Sequence, residues 1–223
     1  MPALELVIIG AVAAISAVLL IRERLQNSTP ISPAINADVL SDYDKEIAIQ
    51  TEDVVKETIG EKPVEALKQM SSSEKIAAME NLSKELIKLY DLNDVQVEIV
   101  HIPTNSFGYY CHDTKTLTVD ISYLLYDMNT INADNRDTIF EYAVRETIDT
   151  IVHELRHAVQ HKAIQLDNNE YWEIDESKRI EWAQNIINYI STDVDPKGYY
   201  QQPIECDAFT FAHESLKGVF SYE

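Results

Sequence analysis

The sequence predicts an α+β domain that is preceded by an apolar N-terminal helix. Two short segments, residues 95 to 99 and 117 to 121, alternate apolar and polar side chains, which is the pattern of β-strands. Several longer segments repeat apolar side chains every three or four positions, which is the pattern of amphipathic helices. The chain has 223 residues, of which 45% are hydrophobic, so it is long enough for one well-buried domain with an appendage.

Residues 1 to 25 are predicted to contain a single transmembrane anchor over residues 4 to 21, because residues 6 to 21 are uncharged and almost entirely Ala, Val, Ile and Leu. This run is at the lower limit of length for a membrane span. A cleaved signal peptide fits less well, since no basic residue precedes the run and no small-residue cleavage site follows it. A helix buried against a partner is the third alternative.

The orientation of this anchor is predicted from the charges beside it. Arg22 and Arg24 follow the apolar run and no basic residue precedes it. Flanking cations usually stay on the cytoplasmic side of a membrane. We therefore expect a single-pass protein whose folded part lies in the cytoplasm, and the opposite orientation stays open because two arginines carry the argument.

The rest of the chain divides into a spacer and a domain. Residues 26 to 70 are predicted to be a linker rich in Pro, Ser and Asn, followed by helical pieces, of which residues 38 to 59 form an amphipathic helix that ends at Gly60. Residues 71 to 223 are predicted to form the folded domain, which begins with a capping box of Ser71 and Glu74. Its second strand is expected to follow a hairpin turn at residues 113 to 115.

A metal-binding motif, HExxH, occupies residues 153 to 157. Residues 137 to 162 form a predicted helix with one buried face, because apolar side chains recur at positions 140, 144, 148, 151, 155 and 158. On a helix His153 and His157 lie one turn apart, so both imidazoles can reach one ion, while Glu154 points at the remaining coordination position. A third ligand is available at Glu205, in the first turn of a helix that Pro203 can open.

The motif and the sequence E-x-D-A-x-x-F-A, from Glu205 to Ala212, resemble the zincin metallopeptidases. More narrowly, they resemble the gluzincins and the small ImmA/IrrE-type peptidases, whose third zinc ligand is a glutamate on a downstream helix. The resemblance covers residues 71 to 223 and implies a zincin-like fold, in which a small sheet lies over the HExxH helix and a C-terminal helix carries the glutamate. It also implies one Zn²⁺ per chain, bound by His153, His157 and Glu205, with Glu154 as the general base.

The same resemblance implies a peptide or protein substrate. In zincins a sheet edge above the metal helix binds an extended peptide, and we expect residues 116 to 121 to supply that edge. Two departures from the family pattern are visible. The glycine and third histidine of the metzincins are missing, and Arg156 stands where zincin helices usually carry an uncharged residue, so this side chain is expected to reach solvent or to lie on a less buried helix.

Other polar residues are candidates for supporting roles. Tyr199 and Tyr200 precede the glutamate helix and can donate a hydrogen bond to an oxyanion or simply pack. Asp149 and Asp207 are candidates to accept the second N–H of a zinc-bound histidine, or are solvated acids. His161 and His213 are either rival metal ligands or surface residues. The sequence leaves open whether Cys111 and Cys206 form a disulfide.

The charge of the chain excludes some functions. Its formal net charge is -20, with 18 basic and 38 acidic residues, which disfavours nucleic-acid binding. The five glycines form no phosphate-binding loop, which disfavours a nucleotide enzyme. The alternative to a peptidase is a non-catalytic protein of a membrane or multi-subunit assembly, in which zinc holds helices together. A structural zinc site of this kind is closed by a fourth protein ligand, whereas a catalytic zinc site keeps an exchangeable water.

Overall fold

A computed structural model of the protein describes residues 35–101, 106–125, 133–166 and 171–220. The predicted anchor over residues 4 to 21 lies outside these ranges and stays a prediction. Within them, every helix is too short or too polar to cross a membrane.

The described part of the chain is α+β, as the sequence predicts, and it is mostly helical. A short 3₁₀ helix at Ala37–Val39 comes first. The elements that follow are α1 (Asp42–Ile59), α2 (Pro63–Gln69), α3 (Ser72–Leu89), β1 (Gln96–Val100), β2 (Gly108–Cys111), β3 (Thr116–Asp120), α4 (Ser122–Leu125), α5 (Ala133–Gln165), α6 (Glu176–Ile187), α7 (Pro196–Gln201) and α8 (Pro203–Leu216).

Capping side chains fix where the first long helices begin. Ser41 and Asp44 form a capping box at the start of α1, and Ser71 and Glu74 form the predicted one at the start of α3. In each box a hydroxyl accepts a backbone N–H three residues later, and the carboxylate accepts the N–H of the serine. Helix α1 ends where predicted, at Gly60, whose φ of 126° is a conformation that glycine adopts without strain.

The three strands form one small mixed sheet in the order β1-β3-β2. Strand β3 pairs parallel with β1 and antiparallel with β2, and the predicted hairpin between β2 and β3 is confirmed. The expectation that residues 116 to 121 form a free edge is wrong, because β3 is central and both of its sides are paired. Strand β2 forms an edge instead.

Helix α5 is the centre of the described structure. The apolar stripe predicted from its sequence is buried, from Phe140 at 3% exposure to Ala158 at 2%. The helix contacts β2, β3, α6 and α8, while α8 also packs on α1. Gly108 allows β2 to approach α5 closely, since a β-carbon there would lie 3.0 Å from Thr150 and 2.5 Å from the Thr118 carbonyl. The HExxH turn of α5 therefore lies between the edge strand and α8.

Candidate metal centre

Three side chains converge where α5 meets the first turn of α8. The Nε2 atoms of His153 and His157 are 3.0 Å apart. Glu205 places Oε2 3.4 Å from Nε2 of His153 and Oε1 3.5 Å from Nε2 of His157. Tetrahedral zinc with bonds of about 2.0–2.2 Å needs ligand atoms about 3.3 Å apart, so these separations fit the ion.

The chemistry of the buried atoms also fits a cation. Glu205 is 1% exposed and His153 is 5% exposed. Within the described residues, Oε2 of Glu205 is buried and accepts no hydrogen bond. A buried carboxylate oxygen beside two imidazole nitrogens requires a positive charge, and two nitrogens with one oxygen are donors that zinc accepts.

Two side-chain amides hold the start of α8, which carries Glu205, in place. Pro203 occupies the first turn of α8, as predicted. Gln202, just before it, accepts hydrogen bonds from the Ile190 N–H at 2.7 Å and from Asn185 at 3.0 Å, and it donates to the Ile190 carbonyl at 2.8 Å. Asn185 in turn accepts the N–H of Ile204 at 3.1 Å. The start of α8 is thereby fastened to the end of α6.

Histidine and glutamate shift each other's ionisation in the metal-free site. Burial alone would lower the pKa of His157, but the Glu205 carboxylate outweighs it and raises that pKa to about 9. Burial alone would raise the pKa of Glu205, but the neighbouring His157, together with close contact to His153, holds it far below its ordinary range. Without metal the pair is thus an imidazolium beside a carboxylate, and a metal ion bound at this nitrogen would have to displace the proton.

The stability of the metal-free protein should therefore fall at alkaline pH. Because the pKa of His157 is about 9 when folded and 6.5 when unfolded, the proton stabilises the fold fully below pH 6.5, and this contribution is lost as pH rises toward 9. Chemical denaturation of chelator-treated protein across this range should show the decline. His157→Ala should show a weaker one, and an equal decline in that variant would contradict the assignment.

Glu154 is held beside the ligands by the edge strand. Its Oε2 accepts the backbone N–H of Tyr110 at 2.9 Å. The carboxylate lines the same cavity as the three ligands, a space of about 950 Å³ bounded by α5, β2, the start of α8 and the loop at residues 189 to 193. One hydrogen bond to a rigid strand keeps the carboxylate from turning away from the site.

Three tyrosines border the ligands. Tyr199 and Tyr200, both predicted from the sequence, line the cavity, and their rings pack on Phe209. Tyr189 was not predicted, yet its hydroxyl donates to Oε1 of Glu205 at 2.8 Å. Burial and the Glu205 charge raise the pKa of Tyr189 and of Tyr199, so both phenols keep their protons and remain donors.

The two aspartates named as acceptors for the ligand histidines lie in different surroundings. Asp149 lines the cavity one turn before His153, and desolvation together with Glu146 raises its pKa to about 7. Within the described residues, Nδ1 of His153 has no hydrogen-bond partner. Asp207 lies away from the rings, and Gln160 stands between it and His157.

Arg156 does not reach solvent. The expectation of a solvent path or a less buried helix is wrong, because the side chain is fully buried and forms ion pairs with Asp207 and Asp44 at 2.7 Å. Three aromatic rings surround its guanidinium, with centroids at 4.8 to 5.6 Å: Trp172, Trp182 and Phe211. Paired acids and aromatic faces replace the water that the charge would otherwise need.

The remaining candidates lie outside the ligand cluster. His161 lines the cavity and stacks on His112 with ring centroids 4.1 Å apart, and burial lowers its pKa to about 4. In the described part of the chain, the cluster of possible ligands contains His153, His157 and Glu205 and neither His161 nor His213. Cys111 and Cys206 are both free thiols.

Comparisons with known proteins add no relative to this geometry. No family model matches the sequence, and neither a curated protein nor a solved structure matches it significantly. Any function assigned to the chain therefore rests on the arrangement of His153, Glu154, His157 and Glu205 itself.

Proposed function

We propose that the protein is a zinc-dependent peptidase of the zincin type, with one Zn²⁺ bound by His153, His157 and Glu205. The observation that carries the proposal is the convergence of these three ligands beside the fixed carboxylate of Glu154. Zinc bound to three protein ligands supplies a Lewis acid and a water whose pKa falls from about 15.7 to about 7.

The protein's own groups then have separate roles. Glu154 accepts a proton from the attacking water and returns it to the leaving amine. Tyr189 and Tyr199 are protonated donors beside Glu205 that can steady the carboxylate or an oxyanion. The walls of the cavity hold the substrate against the ligands.

A peptide is favoured as substrate because an edge strand borders the cavity. Gly108, Tyr109 and Tyr110 of β2 line it, next to Glu154. An extended peptide can lie along such an edge, which orients its main chain without demanding one sequence. It would take the place of Ser106 and Glu154, which now bond the N–H groups of Gly108 and Tyr110. This assigns to β2 the role that the sequence suggested for residues 116 to 121.

The structural alternative requires a fourth protein ligand. Among the described residues, the cluster offers three, and the two histidines considered as a fourth do not belong to it. This favours a site with an open coordination position, and hence catalysis over a purely structural ion.

Zinc content tests the proposal directly. Purified full-length protein is expected to hold one zinc per chain by mass spectrometry, and Glu205→Ala should bind it much more weakly because the site loses a buried ligand. Glu214→Ala, on the same helix but paired with Lys217 near the surface, is the matched control and should bind normally. Absence of zinc from the wild-type protein, with chelators excluded, would remove the proposal.

Cationic peptides should be better substrates than anionic ones. Beyond Glu154 and Glu205, the described cavity wall carries Glu146, Asp149 and Asp193 and no lysine or arginine. With a dication balancing the two glutamates, Glu146 and Asp193 make the cavity negative, and Asp149 adds to this only as the pH rises above its pKa of about 7. Matched peptides with lysine or glutamate near the scissile bond should differ in kcat/KM in favour of lysine, and Asp193→Asn, which removes a cavity-lining charge, should narrow that difference. Equal rates for the two peptides would contradict the argument.

A further inference from the structure

The second ligand histidine is tied to a buried network of charges that reaches the start of α1. Arg156 donates from Nε and Nη2 to the two oxygens of Asp207, at 2.7 and 3.2 Å, and from Nη1 to Asp44 at 2.7 Å. Lys178 adds a second cation, 2.7 Å from Asp207 and 3.7 Å from Asp44. Two cations and two carboxylates thus cancel inside the protein, and both aspartates are at most 2% exposed.

Gln160 connects this network to the metal centre. Its Nε2 donates to Asp207 Oδ2 at 2.9 Å and to the Ile204 carbonyl at 2.9 Å. Both partners can only accept, so the amide cannot be turned round without losing both bonds. Its Oε1 must therefore face Nδ1 of His157, at a distance of 2.7 Å.

This orientation decides the tautomer of His157. An amide oxygen is an acceptor, so Nδ1 of His157 must carry a proton in order to bond to it. When the ring is neutral, as a metal ligand must be, Nε2 is the nitrogen with the lone pair, and Nε2 is the atom that faces Glu205 and His153. For His153 the described structure provides no such partner at Nδ1.

The far end of the network lies at the beginning of α1. Asp44 uses Oδ2 for the capping box with Ser41 and Oδ1 for Arg156. Arg156 and Asp44 are 112 positions apart in the sequence. Just upstream, the N–H of Asn36 donates to Thr210 of α8 at 3.4 Å. The segment around residues 36 to 44 therefore docks on the two helices that supply the metal ligands.

We propose that a chain of hydrogen bonds, here called the positioning relay, sets the tautomer and orientation of His157 for zinc. The relay consists of Asp44, Arg156, Asp207 and Gln160. Through Asp44, the start of α1 then contributes to zinc binding. The proposal rests on the proposed zinc site. According to this proposal, Gln160 and Asp44 affect the affinity for zinc although neither contacts the substrate. Hydrogen-bonded partners of ligand histidines typically change metal affinity by about 10- to 100-fold when removed.

Zinc affinity of full-length variants tests the relay. In competition with a chromophoric chelator, Gln160→Leu should bind zinc about 10- to 100-fold more weakly than wild type. Asp44→Asn should show a smaller loss in the same direction, because it acts through Arg156 and Asp207. Two control variants each lose a buried hydroxyl hydrogen bond on the same helices and should keep wild-type affinity for zinc. They are Thr147→Val on α5 and Thr51→Val on α1.

Each result has a separate meaning. Wild-type affinity in a folded Gln160→Leu, or equal losses in that variant and in Thr147→Val, would overturn the relay while leaving the zinc site standing. Failure of the wild-type protein to bind zinc would overturn the proposed function, and the relay with it.

A measurement on the wild-type protein avoids dependence on the variants' folding. Nitrogen and proton NMR of the zinc-loaded chain should show a slowly exchanging, downfield Nδ1 proton for His157, as the hydrogen bond to Gln160 requires. A rapidly exchanging Nδ1 proton would contradict the relay even if every variant failed to fold.

Discussion

A Glu154→Gln variant is expected to bind zinc as the wild-type protein does and to lose about 10²- to 10⁴-fold in peptide turnover, the range that general-base catalysis contributes. The substitution keeps shape and hydrogen bonding, because a glutamine oxygen can still accept the N–H of Tyr110 that Glu154 accepts at 2.9 Å. What it removes is the ability to take a proton. This one substitution therefore tests catalysis while leaving the structure and the affinity for zinc unchanged.

The measurement pairs zinc content with hydrolysis of a fluorogenic peptide library. Glu141→Gln, an exposed carboxylate on the same helix, is the control and should hydrolyse peptides normally. His157→Ala should lose both zinc and activity. Undiminished turnover in Glu154→Gln would eliminate the mechanism, whereas zinc binding without activity in the wild-type protein would support the structural alternative.

An Arg156→Met variant is expected to lose about 3–5 kcal/mol of unfolding free energy, because it strands a buried negative charge. Asp44 and Asp207 are each within 2.7 Å of the guanidinium and would be left with Lys178 alone. Burial opposes the ionised form of both acids, yet Arg156 and Lys178 lower the pKa of Asp44 and hold that of Asp207 at about 2. Without Arg156 the cost of burying the two aspartates remains, while most of the favourable charge interaction that offsets this cost is lost.

Thermal and chemical denaturation measure this loss, which should lower the melting temperature by about 10 °C in a chain of this size. Arg145→Met is the matched control, since Arg145 lies on the same helix, is about one-third exposed and pairs with Glu146 at 3.4 Å. It should change stability by less than about 1 kcal/mol. Equal stability of the two variants would show that the buried ion pairs of Arg156 make no net contribution to the free energy of unfolding.

The parts of the site that sequence patterns predicted are those set by local spacing. His153 and His157 need only one helical turn, which the apolar stripe of α5 already indicates. Glu205 was predicted from Pro203 and a short motif, and α8 does begin at Pro203. Patterns of this kind do not depend on how distant segments pack.

The parts that were missed depend on distant packing. Asp44 and Tyr189 carry no local pattern that points to the site, and Arg156 resembled a surface residue because its partners lie far away in sequence. Gln160 had a weak signal, three residues after His157 on a buried helix, but glutamine is ordinarily exposed. The strand edge was misassigned because alternation predicts a strand and not its neighbours, and β1 adds beside β3 only through long-range parallel pairing.

Strand β2 is also an edge at which two copies of the chain could associate, and side chains from outside the strand cover part of it. Unpaired strand edges are templates for aggregation. Here the hydroxyl of Ser106 bonds both the N–H and the carbonyl of Gly108, and Glu154 takes the N–H of Tyr110. A neighbouring molecule would therefore meet a four-residue strand whose Gly108 N–H, Gly108 carbonyl and Tyr110 N–H already have partners. The carboxylate that we propose as the general base thus also covers part of the strand edge.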